Sequence, residues 1–216
     1  MSLPSSCPIL TPKLLGLFIF SYLLGSIPTA VWISKAFCGF DIREKGSGNA
    51  GFTNVLRVCG LKYAIPVGIV DLLKGFIPVI LAKFLYPLDY NIHVIVGLYT
   101  VLGHIFPIFA SFKGGKGVFT SLGVMVGLFP VYSFVALLVF LIVFYISKIV
   151  SLSSLSATLI FVIISVIDYL KFSKYINNKI YLYFVILVGT LIFITHRSNI
   201  KRLIKGEELS FKKRKE

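Results

Sequence analysis

The sequence predicts an all-α integral membrane protein with about seven transmembrane helices. Of its 216 residues, 57% are hydrophobic, and the mean hydropathy of +0.93 lies well above that of soluble domains. Apolar runs near the length that crosses about 30 Å of hydrocarbon recur along the whole chain. They leave no stretch for a separate soluble unit, so we expect residues 1–216 to form a single membrane-embedded domain.

Seven apolar segments predict the spans. They are residues 14–34, 63–86, 91–111, 117–130, 131–147, 152–170 and 180–195. The fourth and fifth form an almost continuous apolar stretch that is too long for one span. Pro130 predicts a turn between two short or tilted helices at that point, because proline interrupts helix hydrogen bonding.

The distribution of lysine and arginine predicts how the spans are oriented. Sixteen of these residues fall after the first span, between the third and fourth, between the fifth and sixth, or after the seventh, and five fall on the opposite side. Because cytoplasmic segments are enriched in these residues, we expect the N-terminus outside and the C-terminus in the cytoplasm. This bias and anionic lipid headgroups explain the net charge of +14, so we expect membrane lipid, and not nucleic acid, as a partner.

All four predicted cytoplasmic segments carry polar residues suited to binding anions. The first, DIREKGSGNAGFTNVLR, runs from Asp41 to Arg57. Its glycines leave backbone amides uncovered, and Ser47 and Asn49 offer short hydrogen-bonding side chains. Arg43 and Arg57 supply fixed charge. The segment is therefore predicted to hold an oxyanion, and a flexible glycine-serine turn with solvated charges is the alternative.

The second segment includes the glycine loop FKGGKGVFT, which begins at Phe112. Its adjacent glycines would present backbone amides to a phosphate, and the flanking lysines add charge near the start of the next helix. These residues are Lys113, Gly114, Gly115 and Lys116. The loop is not a Walker A sequence, because glycine follows the second lysine where serine or threonine would bind magnesium. Nucleotide hydrolysis is therefore not expected.

The third and fourth segments are KIVSLSSLSA, from residue 148, and THRSNIKRLIKGEE, from residue 195. Ser153 and Ser154 are candidates either for capping the sixth span or for contacting a ligand. His196, Asn199 and Arg202 follow at spacings of three on a continuing helix, so their side chains share one face. A basic amphipathic helix lying on anionic lipid is the alternative for this last segment.

One acidic and one basic residue form a candidate pair within the second span. Asp71 and Lys74 stand three residues apart and predict an ion pair turned towards the protein interior. Either the pair orients this helix or it belongs to a polar path, which would need similar residues in the other spans.

The three cysteines, Cys7, Cys38 and Cys59, have neither an even number nor the spacing of metal ligands. Two of them fall in a predicted cytoplasmic segment, where thiols stay reduced. We therefore expect no chemistry from them.

The amino-acid sequences of these segments, and their order along the chain, resemble one family of enzymes. GSGNAGFTN, then GHIFPIFASFKGGKG, then HRSNIKRLIKGEE is similar to the bacterial membrane glycerol-3-phosphate acyltransferases of the PlsY type, which use acyl-phosphate as donor. The resemblance covers nearly the whole chain from Gly25 onward. Phe52 and Phe119 stand where the family usually has alanine, which bears on packing near the pocket more than on chemistry.

The resemblance implies transfer of a fatty acyl group from acyl-phosphate to the sn-1 hydroxyl of glycerol 3-phosphate, giving lysophosphatidic acid and phosphate at the first step of phospholipid biosynthesis. It implies a bacterial inner-membrane enzyme whose active site faces the cytoplasm and which needs no metal or other cofactor. Because acyl-phosphate is a mixed anhydride, alignment and charge stabilisation are the main demands on the protein. A small anion transporter is the alternative, although the two halves of the sequence show no internal repeat.

The resemblance and the polar segments together predict the site. The expected catalytic residues are His196, Asn199, Ser153 and Ser47, and the expected substrate-binding residues are Arg43, Asn49, Arg57, Lys113, Gly114, Gly115, Lys116, Ser154 and Arg202. The glycine loop is expected to hold a phosphate, and the resemblance favours that of glycerol 3-phosphate. The acceptor hydroxyl would attack the acyl carbonyl directly, with its own phosphate, His196 or a water accepting the proton. Glu207 or Glu208 is expected to brace the basic residues.

Overall fold

The computed structural model describes residues 11–211, and within that range every regular element is a helix. The α-helices are α1 (Pro12–Gly25), α2 (Thr29–Cys38), α3 (Phe52–Val58), α4 (Leu61–Leu85), α5 (Tyr90–Ile105), α6 (Val118–Leu128), α7 (Pro130–Ser147), α8 (Val150–Ile167), α9 (Lys179–Thr195) and α10 (Arg197–Ile204). Short 3₁₀ turns lie at Ile42–Glu44 and Ile108–Ala110, and a π-helical turn at Asp168–Phe172 extends α8.

Five helical segments of the described chain are long and apolar enough to cross a membrane. They are Pro12–Cys38, Leu61–Leu85, Tyr90–Ala110, Pro130–Ser147 and Val150–Phe172. Helices α9 and α10 pass the same test as a pair bent by 60°, which gives a sixth. Helix α6 has 11 residues and is about 16 Å long, well short of the hydrocarbon thickness. The all-α membrane fold is confirmed, whereas the total of seven spans and the orientation of the termini stay predictions.

Two prolines divide the apolar segments. The first predicted span is broken at residues 26–28 into α1 and α2, because Pro28 has no N–H with which to continue the hydrogen bonds of α1. In the second case α6 ends at Leu128 and α7 begins at Pro130, which confirms the predicted turn. Proline suits the first position of a helix, where its missing N–H would have no intrahelical partner.

The helices hold the two glycine-rich segments in place. A Cβ built on Gly123 of α6 would overlap the carbonyl oxygen of Leu72 in α4, so these two helices pack at a close approach that only a small residue permits. Buried apolar side chains also support the segment between α2 and α4. They include Val31, Ile42, Val55 and Val67. The glycine loop therefore ends at the packed helix α6, and the first polar segment lies between the packed helices α2 and α4.

The ion pair predicted in α4 is present and buried. Lys74 Nζ lies 2.8 Å from Asp71 Oδ1, and neither side chain is more than 3% exposed. Lys74 Nζ also donates a hydrogen bond of 2.8 Å to the carbonyl oxygen of Ile27, in the break between α1 and α2. Asp71 Oδ1 lies 3.7 Å from Nδ1 of His104, near the end of α5. The pair thus connects α4 to two places where neighbouring helices end.

Cys38 and Cys59 are joined by a disulfide, with their Cα atoms 6.3 Å apart. The expectation that the cysteines carry no chemistry is wrong for this pair. Their separation of 21 residues does not reveal the contact, because it arises from the ends of α2 and α3 lying side by side. Cys7 lies outside the described residues.

Candidate active site

Side chains from all four polar segments meet in one cavity of about 330 Å³. Its polar lining comprises Ser47, Asn49, Thr53, Asn54, Arg57, Lys116, Ser151, Ser154, His196, Asn199 and Glu208. Asp71 and His104 also line it, and aromatic rings come from Phe52, Phe119, Phe140, Phe144 and Phe211. Because these segments lie far apart in the sequence, only the folded helices bring them together.

Arg43 lies outside the lining of this cavity and links the first segment to the glycine loop. Its Nε and Nη2 atoms donate to the Asp41 carboxylate at 3.0 and 2.7 Å. Its Nη1 atom donates to the carbonyl oxygens of Ala110 and Lys113 at 2.9 and 3.3 Å. The hydrogen bond from Arg43 holds the pKa of Asp41 well below its usual value, against the opposing effect of burial. The structure therefore surrounds Arg43 with protein partners and does not bring it to the predicted substrate site.

Asn54 shapes the first segment, although the sequence analysis did not include it in the site. Its Nδ2 atom donates to the carbonyl oxygens of Ile42 and Lys45, each at 3.0 Å. Its Oδ1 atom accepts from the amide of Ser47 at 2.8 Å. These bonds close the chain into a turn that sets Ser47 and Asn49 in the cavity wall. An asparagine among several polar residues of a glycine-rich loop gives no sequence signal for this role.

The glycine loop is fastened to the end of α5 and differs from the expected phosphate cradle. The amide of Gly114 donates to the carbonyl oxygen of Ile105 at 3.2 Å. The amide of Gly115 donates to the carbonyl oxygen of His104, also at 3.2 Å. Both amides thus have backbone partners. A Cβ built on Gly115 would overlap His104 Nε2 and lie 2.7 Å from the carbonyl oxygen of Ala50, so glycine serves here to permit close packing.

Of the two loop lysines, Lys116 lines the cavity, whereas Lys113 is exposed and lies outside the lining. Lys116 Nζ donates a hydrogen bond to Oδ1 of Asn199. Asn199 Nδ2 in turn donates to Glu208 Oε1 at 2.6 Å. The backbone of Lys116 is held as well, because Thr195 Oγ1 donates to its carbonyl oxygen at 3.0 Å. The loop and the C-terminal segment are therefore joined at this lysine.

Glu208 is 3% exposed at its side chain and accepts hydrogen bonds from three side chains. Besides Asn199, Arg202 Nε donates to it at 2.8 Å and Ser151 Oγ at 2.9 Å. Burial by itself raises the pKa of Glu208, but these hydrogen bonds outweigh burial and hold the pKa below its usual value. The ionised carboxylate braces Asn199 and Arg202, which is the role expected for Glu207 or Glu208. Arg202 itself lies outside the cavity lining.

Arg57 and Lys116 are the cationic side chains that line the cavity within the described part of the chain. Burial lowers the pKa of Lys116 to about 8, and Glu208 opposes this shift. Burial also lowers the pKa of Arg57, whose guanidinium lies 5.0 Å from the ring centroid of Phe211. The hydrogen-bond acceptors of the two cations are an amide oxygen and a backbone carbonyl, not carboxylates. Half-buried cations whose hydrogen-bond acceptors are neutral favour an anionic ligand.

His196 has a fixed tautomer. Its Nδ1 atom lies 2.8 Å from the carbonyl oxygen of Ile192, which can only accept, so Nδ1 carries the proton of the neutral ring. Nε2 is left as the acceptor nitrogen of a side chain that lines the cavity.

The two expected serines differ, because Ser154 lines the cavity whereas Ser153 lies outside the lining and donates to the carbonyl oxygen of Ile149 at 2.8 Å.

An apolar cavity of about 160 Å³ adjoins the polar one and is lined by α6, α7, α8 and α9. The two cavities share Val118, Phe119, Phe140 and Ser154. An anionic group and an apolar chain attached to it can therefore be bound side by side. Across residues 11–211, no group of three or more His, Cys, Asp or Glu side chains is placed to hold a metal ion.

Residues 15–206 match the family model described as glycerol-3-phosphate acyltransferase. The chain belongs to the glycerol-3-phosphate acyltransferase family. It is therefore an acyltransferase, and the transporter alternative is not supported. Relatives of this name from Fusobacterium nucleatum subsp. nucleatum and Aquifex aeolicus are 43% and 44% identical to the chain. The alignments cover 90% and 92% of this chain, and 96% and 100% of the two relatives.

Two solved structures are similar to the chain along nearly its whole length. Both are crystal structures of PlsY (YgiH), an integral membrane glycerol 3-phosphate acyltransferase, one in a glycerol 3-phosphate form and one in a lysophosphatidic acid form. The TM-scores are 0.85 and 0.82, with sequence identities of 41% and 40%. Each match covers 93% of this chain and 96% of the other.

Phe52 and Phe119, the two positions expected to differ from the family, lie next to each other. The ring centroids of Phe52 and Phe119 are 5.0 Å apart, with an interplanar angle of 39°. Both rings line the polar cavity. The two large side chains therefore pack against each other in the cavity wall.

We expect Gly115→Ala to displace the glycine loop, because the added methyl group would overlap His104 and approach the carbonyl oxygen of Ala50. Overpacking of this kind costs about 1 to 3 kcal/mol, so the thermal unfolding midpoint of the purified protein should fall. Gly16→Ala in α1 is the matched control, since no atom lies within 4 Å of a Cβ at that position. Equal midpoints for the two variants would contradict the packing of the loop.

Proposed function

We propose that the chain transfers a fatty acyl group from acyl-phosphate to the sn-1 hydroxyl of glycerol 3-phosphate, releasing lysophosphatidic acid and inorganic phosphate. The observation that carries this proposal is the contact between two cavities, one lined by two half-buried cations and one almost wholly apolar. Both substrates carry phosphate, and the donor also carries a long acyl chain. The glycerol 3-phosphate and lysophosphatidic acid forms of the PlsY structures support the same acceptor and product.

The acceptor phosphate is proposed to bind between Arg57 and Lys116, because these cations line the cavity from two different segments. Ser47, Asn49 and Asn199 line it too, and offer hydrogen bonds to the phosphate or to the glycerol hydroxyls. The remaining expected residues are proposed to position these groups instead of contacting substrate. They are Arg43, Gly114, Gly115, Ser153 and Arg202, together with Lys113, which acts only through its backbone carbonyl oxygen.

The acyl chain of the donor is proposed to occupy the apolar cavity, with its carbonyl group near Ser154, which both cavities share. The acceptor hydroxyl oxygen forms a bond to the carbonyl carbon, and the bond from that carbon to the phosphate oxygen breaks. Phosphate leaves with the electron pair. His196 Nε2 accepts the hydroxyl proton, because the hydrogen bond at Nδ1 leaves Nε2 unprotonated. The cations stabilise the negative charge that develops.

We further propose that residues 1–216 are one domain in the inner membrane of a bacterium, surrounded by membrane lipid, with the polar cavity opening to the cytoplasm. The support is the lysine and arginine bias of the segments that line this cavity. The same topology has the N-terminus outside and the C-terminus inside.

The proposed reaction is tested by measuring phosphate release from palmitoyl phosphate by the purified protein in detergent, without added metal or nucleotide. Release should require glycerol 3-phosphate and should yield lysophosphatidic acid in equal amount. Absence of release from a preparation with a cooperative thermal transition would refute acyl-phosphate as the donor. Acyl-CoA and acyl carrier protein donors, assayed in parallel, would then identify the alternative.

Lys116→Ala should raise the KM for glycerol 3-phosphate by roughly ten- to a hundredfold, because it removes one charge-assisted contact with the phosphate. Lys113→Ala is the matched control, three residues earlier in the same loop but exposed and outside the cavity lining. We expect its KM to change by less than about threefold. Similar effects of the two substitutions on KM would argue against Lys116 as the phosphate ligand.

The pH dependence of kcat/KM should reflect the lowered pKa of Lys116. The side chain is cationic below about pH 8 and loses its proton above that value, so kcat/KM for glycerol 3-phosphate should fall as the pH rises through about 8. Lys116→Arg should remove this decline, because arginine stays protonated throughout the range. An identical decline in the Lys116→Arg variant would assign the titration to another group.

A further inference from the structure

The disulfide between Cys38 and Cys59 links the two ends of the segment that supplies one side of the cavity. Cys38 is the last residue of α2, and Cys59 follows directly after α3. The chain between them carries Ser47, Asn49 and Arg57, all of which line the cavity. Neither cysteine belongs to that lining. The sulfur atoms are therefore placed to influence the shape of the site without contacting a substrate.

The packing around the two cysteines brings them together independently of the bond between them. Phe37 and Tyr63, on the helices that carry the pair or follow it, stack with ring centroids 5.6 Å apart. Cys59 also packs against the buried apolar cluster between α2 and α4. The Cα separation of 6.3 Å lies within the range that a disulfide requires. Both side chains are half-buried, so a small thiol reagent can reach them.

The surroundings suit slow thiol–disulfide exchange better than catalysis by a permanently ionised cysteine. Each cysteine lies at the C-terminal end of a helix, where the helix dipole reduces the thiolate fraction without abolishing it. In the proposed topology both lie on the cytoplasmic side, where disulfides that do form are transient and respond to oxidation. The pair can then alternate between a dithiol and a disulfide.

We propose that Cys38 and Cys59 form a reversible thiol–disulfide site whose closure tightens the binding of the acceptor phosphate through Arg57. The oxidant is a low-molecular-weight disulfide. One cysteine attacks it, forming a mixed disulfide and releasing one small thiol. The other cysteine then attacks the mixed disulfide, forming the protein S–S bond and releasing the second small thiol. Two electrons pass from the cysteines to the oxidant, and the two cysteine protons are balanced by those on the two released thiols.

Helix α3 connects the disulfide to Arg57, so the state of the disulfide affects the position of the guanidinium. It has seven residues, too few to be stable on its own, and Arg57 lies in its last turn, two residues before Cys59. Closing the disulfide fixes the end of α3 and with it the guanidinium of Arg57. Opening the disulfide lets this end move, so that binding must also order Arg57. This step rests on the proposed function, in which Arg57 binds the phosphate of glycerol 3-phosphate.

The test uses the full-length protein in detergent, treated either with oxidised glutathione or with dithiothreitol, and then alkylated with N-ethylmaleimide. After oxidation neither Cys38 nor Cys59 should be alkylated, and Cys7 should carry either N-ethylmaleimide or one glutathione, whereas all three should be alkylated after reduction, as judged by intact mass. Calorimetry with glycerol 3-phosphate should give a dissociation constant about three- to tenfold lower for the oxidised form, because Arg57 is then pre-organised. The effect should reverse on reduction.

Two variants separate this proposal from general effects of oxidation. Cys7→Ser should keep the redox response, and Cys59→Ser should abolish it while retaining the affinity of the dithiol form. Alkylation of all three cysteines after oxidation, or equal dissociation constants for the two forms, would overturn the proposal. If the affinity responds as expected but no acyl transfer occurs, the proposed function fails and the redox site stands. If transfer occurs with a redox-insensitive affinity, the redox site fails alone.

Discussion

The polar end of the bundle depends on one buried carboxylate. Glu208 accepts hydrogen bonds from Asn199, Arg202 and Ser151, and Asn199 in turn accepts from the ammonium group of Lys116. A buried carboxylate is strongly destabilising unless its oxygens are hydrogen-bonded, and here both oxygens have donors. One side chain thereby joins the C-terminal segment, α8 and the glycine loop. The cationic groups of the site lie close together because this anion offsets part of their repulsion.

The loops of the site are held by hydrogen bonds within the protein, so the cavity exists before a ligand arrives. Arg43 binds two carbonyl oxygens of the segment that leads into the glycine loop, and Asn54 binds three backbone groups of the first segment. The glycine amides are bonded to α5. What remains for a substrate is a small set of side chains in fixed positions, and such preorganisation favours acyl transfer because the groups that stabilise developing charge need no rearrangement.

Hydropathy predicted the all-α membrane fold, and the polar segments expected to form the site do line one cavity, but the sequence does not reveal which side chains reach it. Each apolar segment is mainly helical, although the first is divided between α1 and α2, and the turn at Pro130 followed from the chemistry of proline. Lys113 and Lys116 are chemically alike and three residues apart, as Ser153 and Ser154 are alike and adjacent. Only the packing of the loop and of α8 distinguishes them. The contact between Cys38 and Cys59 was missed for the same reason, because it depends on where two helices end.

Helix α6 has a consequence for where the two substrates of the proposed reaction would meet. At 11 residues it is shorter than the hydrocarbon layer by about 14 Å, so at least one of its ends lies below the membrane surface. Its first residue, Val118, lies in the walls of both the polar and the apolar cavity. In the proposed reaction, a lipid-soluble donor would reach this point from the bilayer, and a water-soluble acceptor would reach it from the aqueous side. The short length of α6 would then reduce the distance that each substrate moves away from the phase in which it dissolves.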